Sequence, residues 1–348
     1  MRTLILAAGK FGPPLAEEIA AGREPRLDVF ELQASLGADL LDFRDVDSAR
    51  GTFMRAARRT LSPSAALALL GASVAKRYDA VLTTGEDIGI PFAVRMLASS
   101  RAPAHTLIAH TLTPWKKRIF FHALGVQRRI QRVLVYATSE ENHAVEVLGL
   151  PRKAVRRIAY HADARFFSPR AQKPEPDLVC SAGQLLRDYD SLVAAARDQP
   201  MRVAIAAGSP WIATALNPKS ALPGNVTWRR YSRFELRDLY ARSAVAVVPI
   251  LENDYQTGIS TILEMMAMGK CVVVTRTRGQ TDTIVDGQTG LYVPPGDVQA
   301  LRSAIQGVLD QPGEAARIGA AARVYVEREA TLELFVERIV ETVRGSAD

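Results

Sequence analysis

At 348 residues the chain is longer than one hydrophobic core usually grows, which predicts two domains. Its 48% apolar and 23% charged residues describe a globular rather than a disordered protein, and no window approaches the roughly 18 uninterrupted apolar residues of a membrane span. The net charge of +7 fits anionic small molecules, a membrane surface or nucleic acid. No RNA- or DNA-binding signature accompanies it, so nucleic acid is set aside as a partner. Cys180 and Cys271 are too far apart in sequence for metal-ligand spacing and offer no disulfide framework. The apolar run in MRTLILAAGKFG is too short for a signal peptide, so the expected compartment is the cytoplasm.

Short apolar runs alternate with helical patterns from end to end. In the first half they predict strands at Thr3–Ala7, Leu27–Leu32, Asp79–Thr84, His105–His110 and Arg132–Tyr136. In the second half they predict strands at Asp177–Ser181, Arg202–Ala206, Asn225–Trp228, Val245–Pro249 and Cys271–Thr275. Near-continuous apolar strands separated by helices argue for parallel sheets covered on both faces. The chain therefore reads as two consecutive doubly wound α/β domains of five strands each. Three prolines in FSPRAQKPEP break the pattern, giving a first domain over 1–168, a linker over 169–176 and a second domain over 177–330. Apolar residues at 332, 335, 336, 339, 340 and 343 predict a closing helix within 331–348, a candidate to pack back on the first domain.

Ligands of open parallel sheets bind beyond the carboxyl ends of the strands. One such end is Val245–Pro249, followed by the polar loop ILENDYQTG and a helix beginning at Ile259. The first N–H groups of that helix lack internal partners and sit at the positive end of its dipole, so Thr257, Gly258 and Ile259 form a candidate phosphate site. Glu264 is a lone acid among apolar residues about 9 Å further along the axis. A carboxylate there suits the hydroxyls of a ribose, or equally an ion pair with a nearby arginine.

The stretch QTGISTILEMMAMGKCVVVTRTRGQTDTIVDGQTGLYVPPGD resembles the donor-nucleotide half of the GT-B-fold retaining glycosyltransferases, specifically glycosyltransferase family 4. The resemblance runs from Val245 to Asp297, with Gly269, Gly279, Asp282, Asp286, Gly287, Gly290, Pro295, Gly296 and Asp297 in register. It implies two Rossmann-like domains facing across a cleft, and Glu264 in the place of a glutamate that binds ribose hydroxyls. Gln256 stands where the family has a first glutamate contacting the donor sugar. Glutamine keeps an acceptor oxygen and loses the charge that would help an oxocarbenium-like transition state. In SAGQLLRDYD, Gly183 matches the family's phosphate loop, Gln184 replaces its arginine, and Arg187 falls near its lysine. Arginine can hold a phosphate bidentately. Arg276 and Arg278 are weaker candidates for a second cation.

In the first domain, AAGKFGPP follows strand one and is similar to the family's glycine loop near the donor phosphates; Gly12 is the close-approach candidate, and the dinucleotide G-x-G-x-x-G spacing is absent. His110 ends a strand where the family has a histidine near the transferred sugar. Glu86 and Asp87 are candidates for the acceptor side, or for capping the helix that follows. DARFFSP, before the linker, is expected to shape the cleft entry. WKKRIFFHALGVQRRIQR and MRAARRTL mix cations with apolar residues, which suits an anionic membrane or an ordinary packed helix.

The expected activity is retaining transfer of a sugar from a nucleotide-diphosphate donor to a small-molecule or lipid-linked acceptor, with no metal and no cofactor. His110 and Gln256 are the expected catalytic residues, and the inner face of the membrane is a candidate location. A nucleotide-sugar 2-epimerase is disfavoured by the donor segment. The competing reading is a catalytically degenerate GT-B protein acting as a nucleotide-sugar-binding or partner subunit, suggested by Gln256 and Gln184.

Overall fold

The structure is a computed structural model that describes residues 1–208, 217–218 and 221–346. Twelve strands are present among them, in two parallel sheets of six. The first sheet contains Thr3–Leu6 (β1), Asp39–Leu41 (β2), Ala80–Thr83 (β3), Ala104–Ile108 (β4), Arg132–Val135 (β5) and Val155–Arg157 (β6), in the order β2-β1-β3-β4-β5-β6. The second contains Glu175–Ala182 (β7), Arg202–Ala206 (β8), Val226–Arg229 (β9), Ser243–Val248 (β10), Val272–Thr275 (β11) and Leu291–Val293 (β12), in the order β12-β11-β10-β7-β8-β9. TLIL, AVLT and VVVT are buried at every position because helices cover both faces, which is why these strands show no polar alternation. Each sheet reverses its winding once, between β1 and β3 and between β7 and β10.

The chain divides into two compact units, Met1–Glu17 with Leu27–Ile158 and Glu333–Asp348, and Glu18–Arg26 with Ala159–Leu332. The division therefore falls at Ile158, ahead of the proline-rich stretch expected as a linker; Ala162 instead bridges to Thr331, and Phe166 and Phe167 are buried in the second unit's core. Glu18–Arg26 also belongs to the second unit. Arg26 fixes it there, its guanidinium 2.7 Å from Asp163 and its backbone N–H 2.9 Å from the same carboxylate. The closing helix, Leu332–Arg344, belongs to the first unit, with Phe335, Ile339 and Val343 fully buried and Arg156 donating to Thr342 at 3.0 Å.

Three expectations about strands fail. Leu27–Leu32 is not a strand but part of a helix, Asp28–Leu36, and the second strand comes later at Asp39–Leu41. Val29 and Leu32 are buried three residues apart, a helical spacing masked in sequence by the β-branched and aromatic residues of DVFEL. Both sheets also carry a sixth strand at the edge. β6 has exposed Arg156 and Arg157, and β12 only three residues, so neither has the apolar run that marks a buried strand.

The segment DGQTGLYVPPGD is used structurally. Asp286 accepts a hydrogen bond from Tyr292 N–H at 2.9 Å, and Asp297 caps the Val298–Asp310 helix through Ala300 N–H at 2.8 Å.

Candidate functional site

At the winding reversal of the second sheet, the loops after β7 and β10 pair with each other. Asp188 N–H donates to Pro249 at 3.1 Å and Leu251 N–H to Leu186 at 3.0 Å, which holds Arg187 opposite Ile250. Beyond these strand ends lies a cavity of about 310 Å³, lined by Gly183, Gln184, Arg187, Arg233, Gly258 and Glu264 among others. It opens on the start of the Ile259–Ala267 helix, where Gly258 is the N-cap with no side-chain cap. This is the position at which an open α/β sheet holds ligands.

Arg187 is the centre of the site. Its guanidinium is buried and donates to Ala182 O (2.9 Å), Leu185 O (2.9 Å) and Thr261 Oγ1 (3.2 Å). Among the described residues no carboxylate lies within ion-pair distance of it. Burial therefore lowers its pKa, opposed weakly by Tyr189, Tyr240 and Glu264. Two glycines give it room: a Cβ on Gly183 would stand 2.3 Å from Nη2, and one on Gly258 would stand 3.1 Å from Nη1. Both glycines have φ in the left-handed region, at 99° and 83°, which a larger residue adopts only at a cost. A buried cation without an anionic partner, set over the positive end of a helix, is an electrostatic arrangement that an oxyanion completes.

Glu264 touches Arg233 and Tyr240. Arg233 Nη1 lies 3.1 Å from Oε1, and the Tyr240 hydroxyl donates to Oε2 at 3.4 Å. The ion pair that sequence left open against a ribose is thus formed, and the same carboxylate lines the cavity. Burial pushes the Glu264 pKa up, more than Arg233 and Tyr240 pull it down. Because the folded-state pKa is raised, protonation of Glu264 favours the folded protein, and this contribution fades as pH rises through that value. Acceptance of hydroxyl hydrogen bonds has the opposite sign, since only the carboxylate accepts twice over. Affinity for a ribonucleotide should therefore fall on acidification, starting above the ordinary glutamate range. A pH titration by calorimetry, flattened in Glu264→Gln, checks this.

Arg233, Tyr240, Ser260 and Thr261 are site residues that sequence reasoning missed. Arg233 opens a helix behind a Ser232/Glu235 capping box, a local signal that says nothing about a cavity. Thr257, Gly258 and Ile259 form the turn into the Ile259–Ala267 helix, as their spacing suggests, but Thr257 is buried and its hydroxyl donates to Asn253. Gln256 lies in that same turn without lining the cavity. It is buried; its amide donates to Thr283 at 3.4 Å, while its oxygen has no partner. Arg276 and Arg278 are surface cations paired with Asp286 (3.6 Å) and Asp254 (2.9 Å).

A second cluster lies at the carboxyl end of the first sheet. Glu86 is buried, accepts from His110 N–H at 2.9 Å and pairs with Lys117 at 2.8 Å. Burial pushes its pKa up, but Lys117 and His110 outweigh this and hold it low. The His110 ring nitrogen Nε2 stands 2.9 Å from Thr84 O, so it donates there and leaves Nδ1 facing elsewhere. Glu86 does not cap its helix: the N-cap is Gly85, with no side-chain bond. Asp87 accepts from the Ser64 hydroxyl instead, so of the two carboxylates only Glu86 joins His110. Gly12 follows β1 in the same unit, next to Arg44, with Lys10 in an exposed pair with Asp47.

Comparison with known proteins places this geometry in context. Residues 181–311 match the family model described as glycosyl transferases group 1. The chain is 36% identical over 89 residues to the glycogen synthases of two Mycobacterium tuberculosis strains, a match covering 26% of this chain and 21% of theirs. Among solved structures it is similar to Anabaena HepE in complex with UDP, with a TM-score of 0.72 at 15% identity over 99% of this chain and 100% of that one. It is likewise similar to sucrose-phosphate synthase from Thermosynechococcus elongatus, with a TM-score of 0.72 at 17% identity over 99% of both chains. At these identities the likeness concerns the fold. The chain has the two-domain GT-B fold.

Proposed function

We propose that this chain is a glycosyltransferase that moves a sugar, with retention of configuration, from a nucleotide-diphosphate donor to a hydroxyl of an acceptor bound by the first unit. The observation that carries the reading is buried Arg187 over the open start of the Ile259–Ala267 helix, with Glu264 one helical step beyond. An anion of the size of a diphosphate satisfies the first pair, and the adjoining ribose reaches Glu264. The match of residues 181–311 to a glycosyltransferase model covers these positions and supports the reading, as do HepE structures described with UDP and with UDP-glucose. Arg187 and the helix terminus would take up the charge of the departing diphosphate without a metal ion or cofactor. The departing phosphate itself takes the acceptor proton, which leaves Glu86 to hold the His110 backbone through its N–H rather than act as a base. A lipid-linked acceptor is one candidate and a small molecule the other.

Gln256 favours a second reading, a binding or partner subunit, because a neutral side chain stands where a carboxylate would support positive charge on the sugar. Its oxygen is buried without a partner and outside the cavity lining, so contact with a sugar hydroxyl requires the turn to open on binding. A thermal-shift screen against UDP, GDP, ADP, CDP and TDP is the deciding experiment, followed by an assay for hydrolysis of the matching nucleotide sugar. A diphosphate at about a hundred times its dissociation constant adds roughly 2.7 kcal/mol of stability. Binding with turnover supports the transferase; binding without turnover supports the partner subunit; no binding sinks both. Gln256→Ala should leave UDP affinity within about threefold while weakening UDP-sugar binding by about 1–2 kcal/mol. Equal losses for both ligands would remove Gln256 from the sugar contact.

A further inference from the structure

The first unit carries a charge pattern that sugar transfer does not use. Between Ser48 and Ser139 there are fourteen lysines and arginines and three carboxylates, so the rest of the chain is net acidic. Those three carboxylates are engaged: Asp79 with Arg2 N–H at 2.7 Å, Glu86 with His110 and Lys117, and Asp87 with Ser64. Among the described residues they leave the region's other surface cations without a carboxylate partner.

The Trp115–His122 helix shows how the surplus is displayed. Lys117 turns inward to Glu86, and Phe121, one turn further, is fully buried. At about 100° per residue, positions 115 and 119 lie on the opposite side. Trp115 is 66% exposed, Ile119 52% and Leu124, just past the helix, 44%. Lys116, Arg118 and Arg128 are exposed and, among the described residues, make no ion pair. Single exposed apolar residues are ordinary, but an indole and an isoleucine one turn apart between free cations form a face suited to a lipid interface. The run WKKRIFFHALGVQRRIQR is therefore not one uniform amphipathic helix, since Lys117, Phe121 and Arg132 in β5 serve the fold.

We propose that this helix docks the first unit on an anionic lipid bilayer. Trp115, Ile119 and Leu124 enter the headgroup region, and Lys116, Arg118 and Arg128 meet the lipid phosphates. Charge complementarity selects the occupant, and the apolar stripe distinguishes a bilayer from a soluble polyanion, which would use only the cations. Among the described residues no helix is long and apolar enough to cross a membrane, so the contact is peripheral. Lys117 ties the helix to Glu86, and through it to His110, so docking and the candidate acceptor-side cluster share one rigid element. The proposal does not rest on sugar transfer.

Sedimentation with sucrose-loaded vesicles tests it, using the full chain and vesicles of phosphatidylcholine with or without about 30% phosphatidylglycerol. The protein should pellet with the anionic vesicles at about 0.1 M salt, far less at about 0.5 M, and not with neutral ones. Lys116→Glu with Arg118→Glu should lower the partition coefficient by at least tenfold. Trp115→Ser with Ile119→Ser should lower it several-fold while the salt dependence stays. Failure to pellet at low salt overturns the proposal. So does an unchanged partition in the serine variant together with a tenfold loss in Arg55→Glu/Arg59→Glu, which would mark diffuse charge rather than this helix. An unchanged circular dichroism spectrum and urea midpoint in every variant show that the fold is intact, a control that needs no nucleotide and so separates failure here from failure of the transferase reading.

Discussion

Replacing Glu264 with alanine should abolish stabilisation by whichever nucleoside diphosphate binds and also destabilise the free protein by about 2 kcal/mol. Two groups lose their partner in that variant. Tyr240 is fully buried, and burial raises its pKa well above the usual range, so its hydroxyl has no water to turn to. Arg233 keeps 24% of its side chain exposed, which softens the cost relative to a fully buried pair, usually about 3–5 kcal/mol. Glu264→Gln retains an acceptor for one partner; it should fold with near wild-type stability and bind the nucleoside diphosphate about tenfold more weakly. The double variant Glu264→Ala/Arg233→Ala removes the stranded cation and should recover about half of the lost stability, with no recovery of binding. Urea denaturation gives the stability terms, and calorimetry gives the affinity. If Glu264→Ala binds the nucleoside diphosphate as tightly as wild type, the carboxylate serves only Arg233 and Tyr240, and the ribose assignment is withdrawn.

Much of this site was legible because its residues are adjacent in sequence. QTGISTILE encodes a glycine N-cap, a helix start and an acid one helical step in, and the fold keeps those three at one strand end. Arg187 was marked only by the resemblance of SAGQLLRDYD to a glycosyltransferase phosphate loop, and the structure then folds its guanidinium back over Gly183. Arg233 and Tyr240 were not, because they come from a helix whose own pattern reports only its capping box and its packing against the sheet. The acids of the first unit were ambiguous for another reason. Glu86 and Asp87 are neighbours in sequence, and only packing separates them: Asp87 falls to Ser64, and Glu86 to Lys117, a residue that reads as a surface cation within WKKR. The strand errors share a cause too. DVFEL holds strand-forming residues in a helical spacing, and the two short edge strands have no apolar run to announce them.

Arg187→Ala should lower affinity for the bound nucleoside diphosphate by about 100-fold or more while changing affinity for the matching nucleoside by less than about threefold, because the guanidinium is assigned to the phosphates alone. Its bonds to Ala182 O, Leu185 O and Thr261 Oγ1, with a further contact to the Tyr189 hydroxyl, fix the guanidinium while none of them neutralises its charge. Arg187→Lys should recover little. Lysine carries the charge but lacks the planar fork that reaches Ala182 O, Leu185 O and Thr261 together, and a buried ammonium loses its proton more readily. Gly183→Ala offers an independent route to the same loss. Its Cβ would meet the guanidinium at 2.3 Å and its φ of 99° is strained, so the arginine must be displaced from the cavity without any change in its own chemistry. If the diphosphate and the nucleoside lose affinity equally in Arg187→Ala, the residue supports the loops after β7 and β10 rather than the ligand. If only the diphosphate suffers, in both Arg187→Ala and Gly183→Ala, then charge held over the helix start is what retains the leaving group, and transfer rates should fall in proportion.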